Sequence, residues 1–335
     1  MQTADFTYQL PPSAVAQRPA EPRDSSRLLV VPGLADRRFA DLPDLLVPGD
    51  LLVVNDTRVR AARLQGRRAT GGSAEALLLT PLADGVWSGL VRPARRLPEG
   101  AVIHFGDIVA TVLTDPREGM TTLKLEGPAD MEEAIEREGT VPLPPYIHGE
   151  LDDPDRYQTV YASAIGSAAA PTAGLHFTPS LLDHLVSVGV GLARIELKVG
   201  IGTFRPITTQ NVADHRMHPE WVSVPPATAR AVADTRRAGG AVVAIGTTVV
   251  RALESRTSDG QVAPGWGETD LFITPGFRFQ VVDRLVTNFH LPSSTLLCMV
   301  AAFVGDSWKG HYETALERGY RFLSFGDAML ADRAT

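Results

Sequence analysis

A change of rhythm divides the chain. From Asp50 to about Glu126, short apolar or alternating runs (DLLVVN, AARLQG, AEALLL, VWSGLV, AVIHF, IVATVL, TTLKL) are cut by Gly66, Gly71, Gly72, Gly85, Gly100 and Gly106. Strands this short between glycine turns predict an antiparallel meander or small barrel. After Pro142, Leu143, Pro144 and Pro145 the pattern becomes alternating helix and strand. LLDHLVSVGV reads as a helix into a turn and GLARIELKVG as a strand; ATARAVADTRRAGG is a helix, AVVAIG a buried strand and TTVVRALES a helix. That alternation means an α/β domain with an at least partly parallel sheet. The expected architecture is therefore α/β, with a β-rich domain inserted near residues 66–150. A length of 335 residues fits two domains, or one with a large insertion.

Composition narrows the chemistry. The lone Cys298 excludes an internal disulfide framework and any multi-cysteine zinc or iron–sulfur site. The N-terminus has no basic segment leading into an apolar core, so it is not read as a secretory signal. The longest apolar stretch, Leu296 to Val304, is far short of the ~20 residues that span a bilayer. A cytoplasmic protein with no membrane partner is expected. The net charge of -7 argues against coating nucleic acid by bulk electrostatics. Yet the acid is local: residues 69–150 carry 6 basic and 13 acidic side chains, many in ADMEEAIEREG, a short helix closed by Gly139. Arg58, Arg60, Arg63, Arg67 and Arg68 precede this segment, and Arg92, Arg95 and Arg96 lie within it. They read either as solvated edge positions or as a strip of guanidinium forks for phosphate oxygens.

Four stretches could carry chemistry. In AVVAIGTTVVRALES, a strand ends at Gly246 and Thr247 and Thr248 open a helix, where free N–H groups meet an anion; Arg251 lies one turn in, with Glu254 three residues on. A surface Arg251–Glu254 pair is the structural alternative. In GSAAAPTAGLHFTPSLL, Thr172 and Gly174 belong to a loop that lets backbone approach a substrate, Thr178 and Pro179 begin a helix, and His176 lies between. IELKVGIGTFRPI holds Lys198 and Arg205 around a Gly-x-Gly turn that is no dinucleotide fingerprint. In TNFHLPSSTLLCMV, Asn288 and His290 precede an apolar helix capped by Ser293, Ser294 or Thr295. His215 and His218 have near-metal spacing without a third ligand, so no metal is expected.

Beyond these fragments the chain resembles the S-adenosylmethionine:tRNA ribosyltransferase-isomerases of queuosine biosynthesis, over nearly its whole length. The resemblance rests on DFTYQLPPSAVAQRPAEPRDSSRLLVV, PGDLLVVNDTRVRAARLQG, LPPYI, RYQTVYA, GSAAAPTAGLHFT, GIGTFRPI, HRMHPE, IGTTVVRALES, TDLFITPGFRFQVVDRLVTNFHLPSSTLL and GYRFLSFGDAML. It implies a large α/β domain, residues 1–65 and 151–335, and a smaller antiparallel β-barrel, residues 66–150. It also implies transfer and isomerisation of the ribosyl part of S-adenosylmethionine onto 7-aminomethyl-7-deazaguanine in tRNA, giving epoxyqueuosine, adenine and methionine. S-adenosylmethionine is then a co-substrate, with no metal or redox cofactor, and the enzyme is expected to be a monomer.

Within that expectation His176 and His290 are the candidates for proton transfer. Thr247, Thr248 and Arg251 would hold the methionine carboxylate, in a pocket completed by Thr172 and Gly174. Asp24, Asn55 and Asp56 would bind polar base or ribose edges, and Arg23, Arg58 and Arg205 would meet tRNA phosphate. Lys198 stands where the family typically has histidine, and an unperturbed lysine, pKa about 10.4, is a poor base at neutral pH. The competing readings are a relative acting on a small molecule or free deazapurine, and a binding protein without catalysis.

Overall fold

The computed structural model describes residues 1–149, 151–200 and 206–334, which form two units. One comprises Met1–Thr57, Pro144–Ala164 and Ala170–Thr335; the other comprises Arg58–Leu143 and Ile165–Ala169. The expected boundary after residue 65 falls inside the strand Arg63–Arg68. At the far end the chain returns to the large unit at Pro144, within the proline cluster and before residue 150.

The large unit is built on a nine-stranded sheet. Its strands are β1 (Arg27–Val31), β2 (Ala35–Arg38), β3 (Leu51–Asn55), β4 (Gly191–Leu197), β5 (Glu220–Val224), β6 (Val242–Ile245), β7 (Gly265–Thr269), β8 (Arg284–Asn288) and β9 (Ala328–Asp332). Their spatial order is β7-β5-β4-β3-β6-β8-β9-β1-β2. The central run β4-β3-β6-β8 is parallel. Both β3 and β6 are buried at every position, which is why they read as unbroken apolar runs rather than alternating ones.

The helices are α1 (Leu42–Leu45), α2 (Pro179–Ser187), α3 (Pro226–Arg237), α4 (Thr247–Ser255), α5 (Thr295–Val304) and α6 (Trp308–Glu317). Thr178 caps α2 and Ser294 caps α5, each side-chain oxygen accepting an N–H three residues on. Such a cap stabilises by about 1 kcal/mol. The apolar stretch ending at Val304 is the buried helix α5, and Cys298 lies on it with its thiol pushed up to about 12 by burial. Among the described residues no helix is long and apolar enough to cross a membrane.

The small unit is a closed six-stranded antiparallel barrel. Its ring runs Arg63–Arg68, Ser73–Ala83, Val86–Arg92, Met120–Glu126, Ile108–Val112 and Val102–Phe105. Pairing of Arg67 and Arg68 with His104 and Ile103 closes it. Closure leaves no open sheet edge in the ring. The helix Met131–Glu138 turns Ala134 and Ile135 inward and leaves Glu132, Glu133 and Glu136 exposed. Gly139 ends that helix for a different reason than a left-handed cap requires. Its φ is -90°, and a Cβ there would lie 1.7 Å from the Ala61 carbonyl oxygen, so close approach demands glycine.

Candidate functional site

The parallel strands β6 and β8 run side by side, and a cleft of about 60 Å³ opens beyond their C-terminal ends. That is where open α/β sheets hold ligands. Gly246–Thr248, Thr287, Asn288, His290 and Thr172 line it, with Tyr146 and Ser324. Gly246, at φ 92°, makes the turn from β6 into α4, a conformation that favours glycine. The first turn of α4 then presents N–H groups that have no acceptor within the helix. The Thr248 hydroxyl oxygen is buried in this wall without a hydrogen-bond partner. A partial positive charge at the helix start and an unspent hydroxyl have the chemistry that suits an anion.

Another part of the lining is held by a chain of side-chain hydrogen bonds. Asn288, at the end of β8, accepts the Thr172 hydroxyl at 2.7 Å through its side-chain oxygen. Its amide nitrogen donates to the Asp327 carbonyl at 3.4 Å and to His176 Nε2 at 3.1 Å. His176 Nδ1 therefore carries the proton and donates to the Ser26 hydroxyl at 2.7 Å. The ring also stacks on Phe39, centroids 4.8 Å apart. Burial, with Arg321 and Arg23 adding to it, pushes the imidazole pKa down to about 3, so the ring is neutral. His176 thus has both nitrogens engaged and does not line the cleft.

His290 does line it. Its Nε2 lies 2.8 Å from the Thr287 hydroxyl, while Tyr8 donates to its carbonyl and its backbone N–H donates to the Tyr312 hydroxyl. Burial holds this imidazole neutral as well, its pKa pushed down to about 3. Of the expected site residues the cleft brings together Thr172, Thr247, Thr248 and His290.

The others are placed elsewhere. Arg251 is buried, and its guanidinium is paired with Glu220 and donates to the Leu271 carbonyl at 3.1 Å, leaving Nη2 buried without a partner. It is not the surface partner of Glu254, whose buried carboxylate instead accepts three backbone N–H groups, from Gln280, Val281 and Val282. Glu220 in turn accepts the Gly200 N–H at 3.0 Å. Asn55 is fully buried, exchanging hydrogen bonds with Leu197 that tie β3 to β4. Asp24 accepts from Thr178 at the start of α2.

Asp56 accepts from Ser163 at 3.0 Å, and its other carboxylate oxygen is buried and unpartnered. Gly174 is glycine because a Cβ would lie 2.1 Å from the Tyr161 hydroxyl. Arg23 spends its fork on the carbonyls of Asp155, Gln158 and Leu175, which removes it from phosphate binding. Arg58 belongs to the barrel unit. Arg205 lies outside the described residues. Lys198 is exposed at the end of β4, its N–H donating to the Trp221 carbonyl. Among the described residues no three His, Cys, Asp or Glu side chains gather to hold a metal.

Sequence reasoning missed Ser26, Glu220 and Thr287 as functional supports. Each lies within a quoted motif (RDSSRLLVV, HRMHPE and RLVTNFHLP), but only contacts between distant segments assign them work.

A family model described as "Queuosine biosynthesis protein" matches residues 3–331. The chain is 52% identical over 334 residues to an S-adenosylmethionine:tRNA ribosyltransferase-isomerase from Gloeobacter violaceus, covering 98% of this chain and 95% of that one. It is 52% identical over 342 residues to the protein of that name from Moorella thermoacetica, covering 98% and 99%. A crystal structure of S-adenosylmethionine tRNA ribosyltransferase from Thermotoga maritima is similar, with TM-score 0.57, 38% identity and coverage of 98% and 99%. With the cleft at the β6 and β8 ends and the closed barrel, these likenesses place the chain in the queuosine biosynthesis protein family.

Proposed function

We propose that this chain is an enzyme that transfers the ribosyl moiety of S-adenosylmethionine to 7-aminomethyl-7-deazaguanine in tRNA. It isomerises that sugar to the epoxycyclopentane of epoxyqueuosine and releases adenine and methionine. The observation that carries the reading is the cleft at the start of α4, where an unspent Thr248 hydroxyl and a helix N-terminus face a buried neutral His290.

S-adenosylmethionine presents a carboxylate, a sulfonium and a purine, and the cleft offers a partner of matching kind to each end. Thr247 and Thr248 hold the methionine carboxylate through the helix N–H groups and the Thr248 hydroxyl. The sulfonium acidifies the neighbouring C5′–H, and removing that proton leaves an ylide. His290, neutral and with Thr287 at its Nε2, is the residue set to move that proton. Thr172, aimed by Asn288, supplies a hydroxyl to the ribose or the leaving adenine. His176 acts through Asn288 and is a positioning residue. Arg251 holds the scaffold behind the cleft through Glu220 rather than the substrate. The reaction so written calls for no metal or redox cofactor, S-adenosylmethionine being consumed as a co-substrate.

The test is incubation with S-adenosylmethionine and tRNA bearing the aminomethyl-deazaguanine base. Adenine and methionine released only when that tRNA is present support the reading. Release with the free base alone assigns a small-molecule acceptor instead.

A further inference from the structure

The barrel carries an arginine face that the cleft chemistry does not use. On the strand Arg63–Arg68, Leu64 is buried inside the barrel while Gln65 and Arg67 are exposed, and side chains alternate across the sheet. The register sets Gln65 opposite Glu75, and Glu75 opposite Arg92, so these positions share the outer face with Arg63 and Arg67. Arg95 and Arg96 follow at once in the single turn Ala94–Arg96. Arg63 and Arg67 of the first arginine cluster therefore share one side of the barrel with Arg92, while Arg60 is paired with Glu132.

Glu75 is the only acidic residue in the three strands Arg63–Arg68, Ser73–Ala83 and Val86–Arg92, and Arg63 already engages it at 2.7 Å. Arg92, Arg95 and Arg96 are exposed, and no ion pair claims them among the described residues. This density stands against the local average, since residues 69–150 hold 13 acidic and 6 basic side chains. The acid is gathered elsewhere, much of it on the helix Met131–Glu138.

We propose that this outer barrel face docks the phosphate backbone of the RNA substrate, with Arg92, Arg95 and Arg96 as the direct contacts. Planar guanidinium forks match phosphate oxygens in pairs, and such contacts position a nucleic acid without reading its sequence. The inference rests on the reading of tRNA as acceptor, and adds where the RNA is held.

The experiment measures binding of an unmodified tRNA transcript to the full chain by fluorescence anisotropy between 50 and 200 mM salt, roughly the range over which phosphate contacts show most clearly. Replacing the three together (Arg92→Gln, Arg95→Gln, Arg96→Gln) should weaken binding about tenfold to a hundredfold. It should also lower the log–log salt slope by about 2 to 3, as loss of three phosphate contacts requires. The lysine set (Arg92→Lys, Arg95→Lys, Arg96→Lys) keeps the charges and should keep the slope. S-adenosylmethionine affinity and melting temperature should be unchanged in both, which separates docking from folding.

Wild-type affinity and slope in the glutamine variant would overturn the proposal while leaving the functional reading intact. A wild-type chain with no salt-dependent tRNA binding would overturn both. Unchanged RNA binding with loss of binding to polyglutamate would assign the face to an acidic protein instead, and overturn the RNA proposal.

Discussion

In the cleft wall, Asn288 uses its side chain on Thr172, His176 and the Asp327 carbonyl, and His176 uses its second nitrogen on Ser26. On the barrel face, Arg92, Arg95 and Arg96 are exposed, with no acidic partner among the described residues. The first set is buried, where an unpaired polar group costs about 1–3 kcal/mol, so every partner matters to folding. The second keeps its charges hydrated, where neighbours contribute little to stability and much to attracting a polyanion. Within the cleft, the buried Thr248 hydroxyl departs from this pattern, having no hydrogen-bond partner among the described residues.

Substitutions sharpen the contrast, and the largest effect belongs behind the cleft. Arg251→Ala breaks the buried Arg251–Glu220 ion pair and removes the donor to the Leu271 carbonyl, and should cost about 3–5 kcal/mol in urea unfolding followed by tryptophan fluorescence. Replacing both with apolar residues (Arg251→Met, Glu220→Leu) should recover much of that loss, because the desolvation cost of the buried pair goes with it. If Arg251→Ala were as stable as the parent chain but bound S-adenosylmethionine poorly, the arginine would be a ligand group after all.

Next comes His176→Phe, which keeps a ring against Phe39 but strands Ser26 and Asn288. It should destabilise by about 1–3 kcal/mol and lower kcat through misplacement of Thr172. The shape of the pH–rate profile should stay as it was. A profile that lost one limb would make His176 a proton-transfer group rather than a support.

The pH dependence of stability follows from the same burial. His176 and His290 both have folded pKa values of about 3, against about 6.5 in the unfolded chain. Below pH ~6.5 the unfolded chain therefore binds protons that the folded one refuses, and stability falls as pH drops toward 3. The slope is about 1.4 kcal/mol per pH unit for each imidazole. Thermal melts from pH 7 to 4 should show it, and His176→Phe should remove about half of this imidazole contribution. The smallest stability effect belongs to the barrel arginines: the Arg92, Arg95 and Arg96 glutamine variant should melt within about 0.5 kcal/mol of the parent chain.

The parts of the fold legible in the sequence were those whose signal is local. Val242–Ile245 is an unbroken apolar run, Thr178–Pro179 is a cap followed by a first-turn proline, and glycine punctuation marked the barrel strands. The start of α4 could be read for the same reason, because strand, glycine and two threonines are consecutive.

What escaped was set by distance along the chain. Arg251 and Glu254 lie three residues apart and invite pairing, yet each turns to a partner about thirty residues away or on another element. Arg23 looked free because carbonyl acceptors leave no trace in composition. His176 and His290 looked equivalent, and only burial geometry separates the ring with two partners from the ring that faces the cleft.

The central claim is that the start of α4 binds the carboxylate of S-adenosylmethionine. Isothermal titration of S-adenosylmethionine and its decarboxylated form into the parent chain and Thr248→Val tests this most directly. The parent chain should favour the carboxylate-bearing ligand at least about tenfold, since a hydrogen bond to a charged group contributes about 1.5–3 kcal/mol, and Thr248→Val should lose most of that preference. Equal affinity of the parent chain for both ligands, or a preference untouched by Thr248→Val, would contradict it.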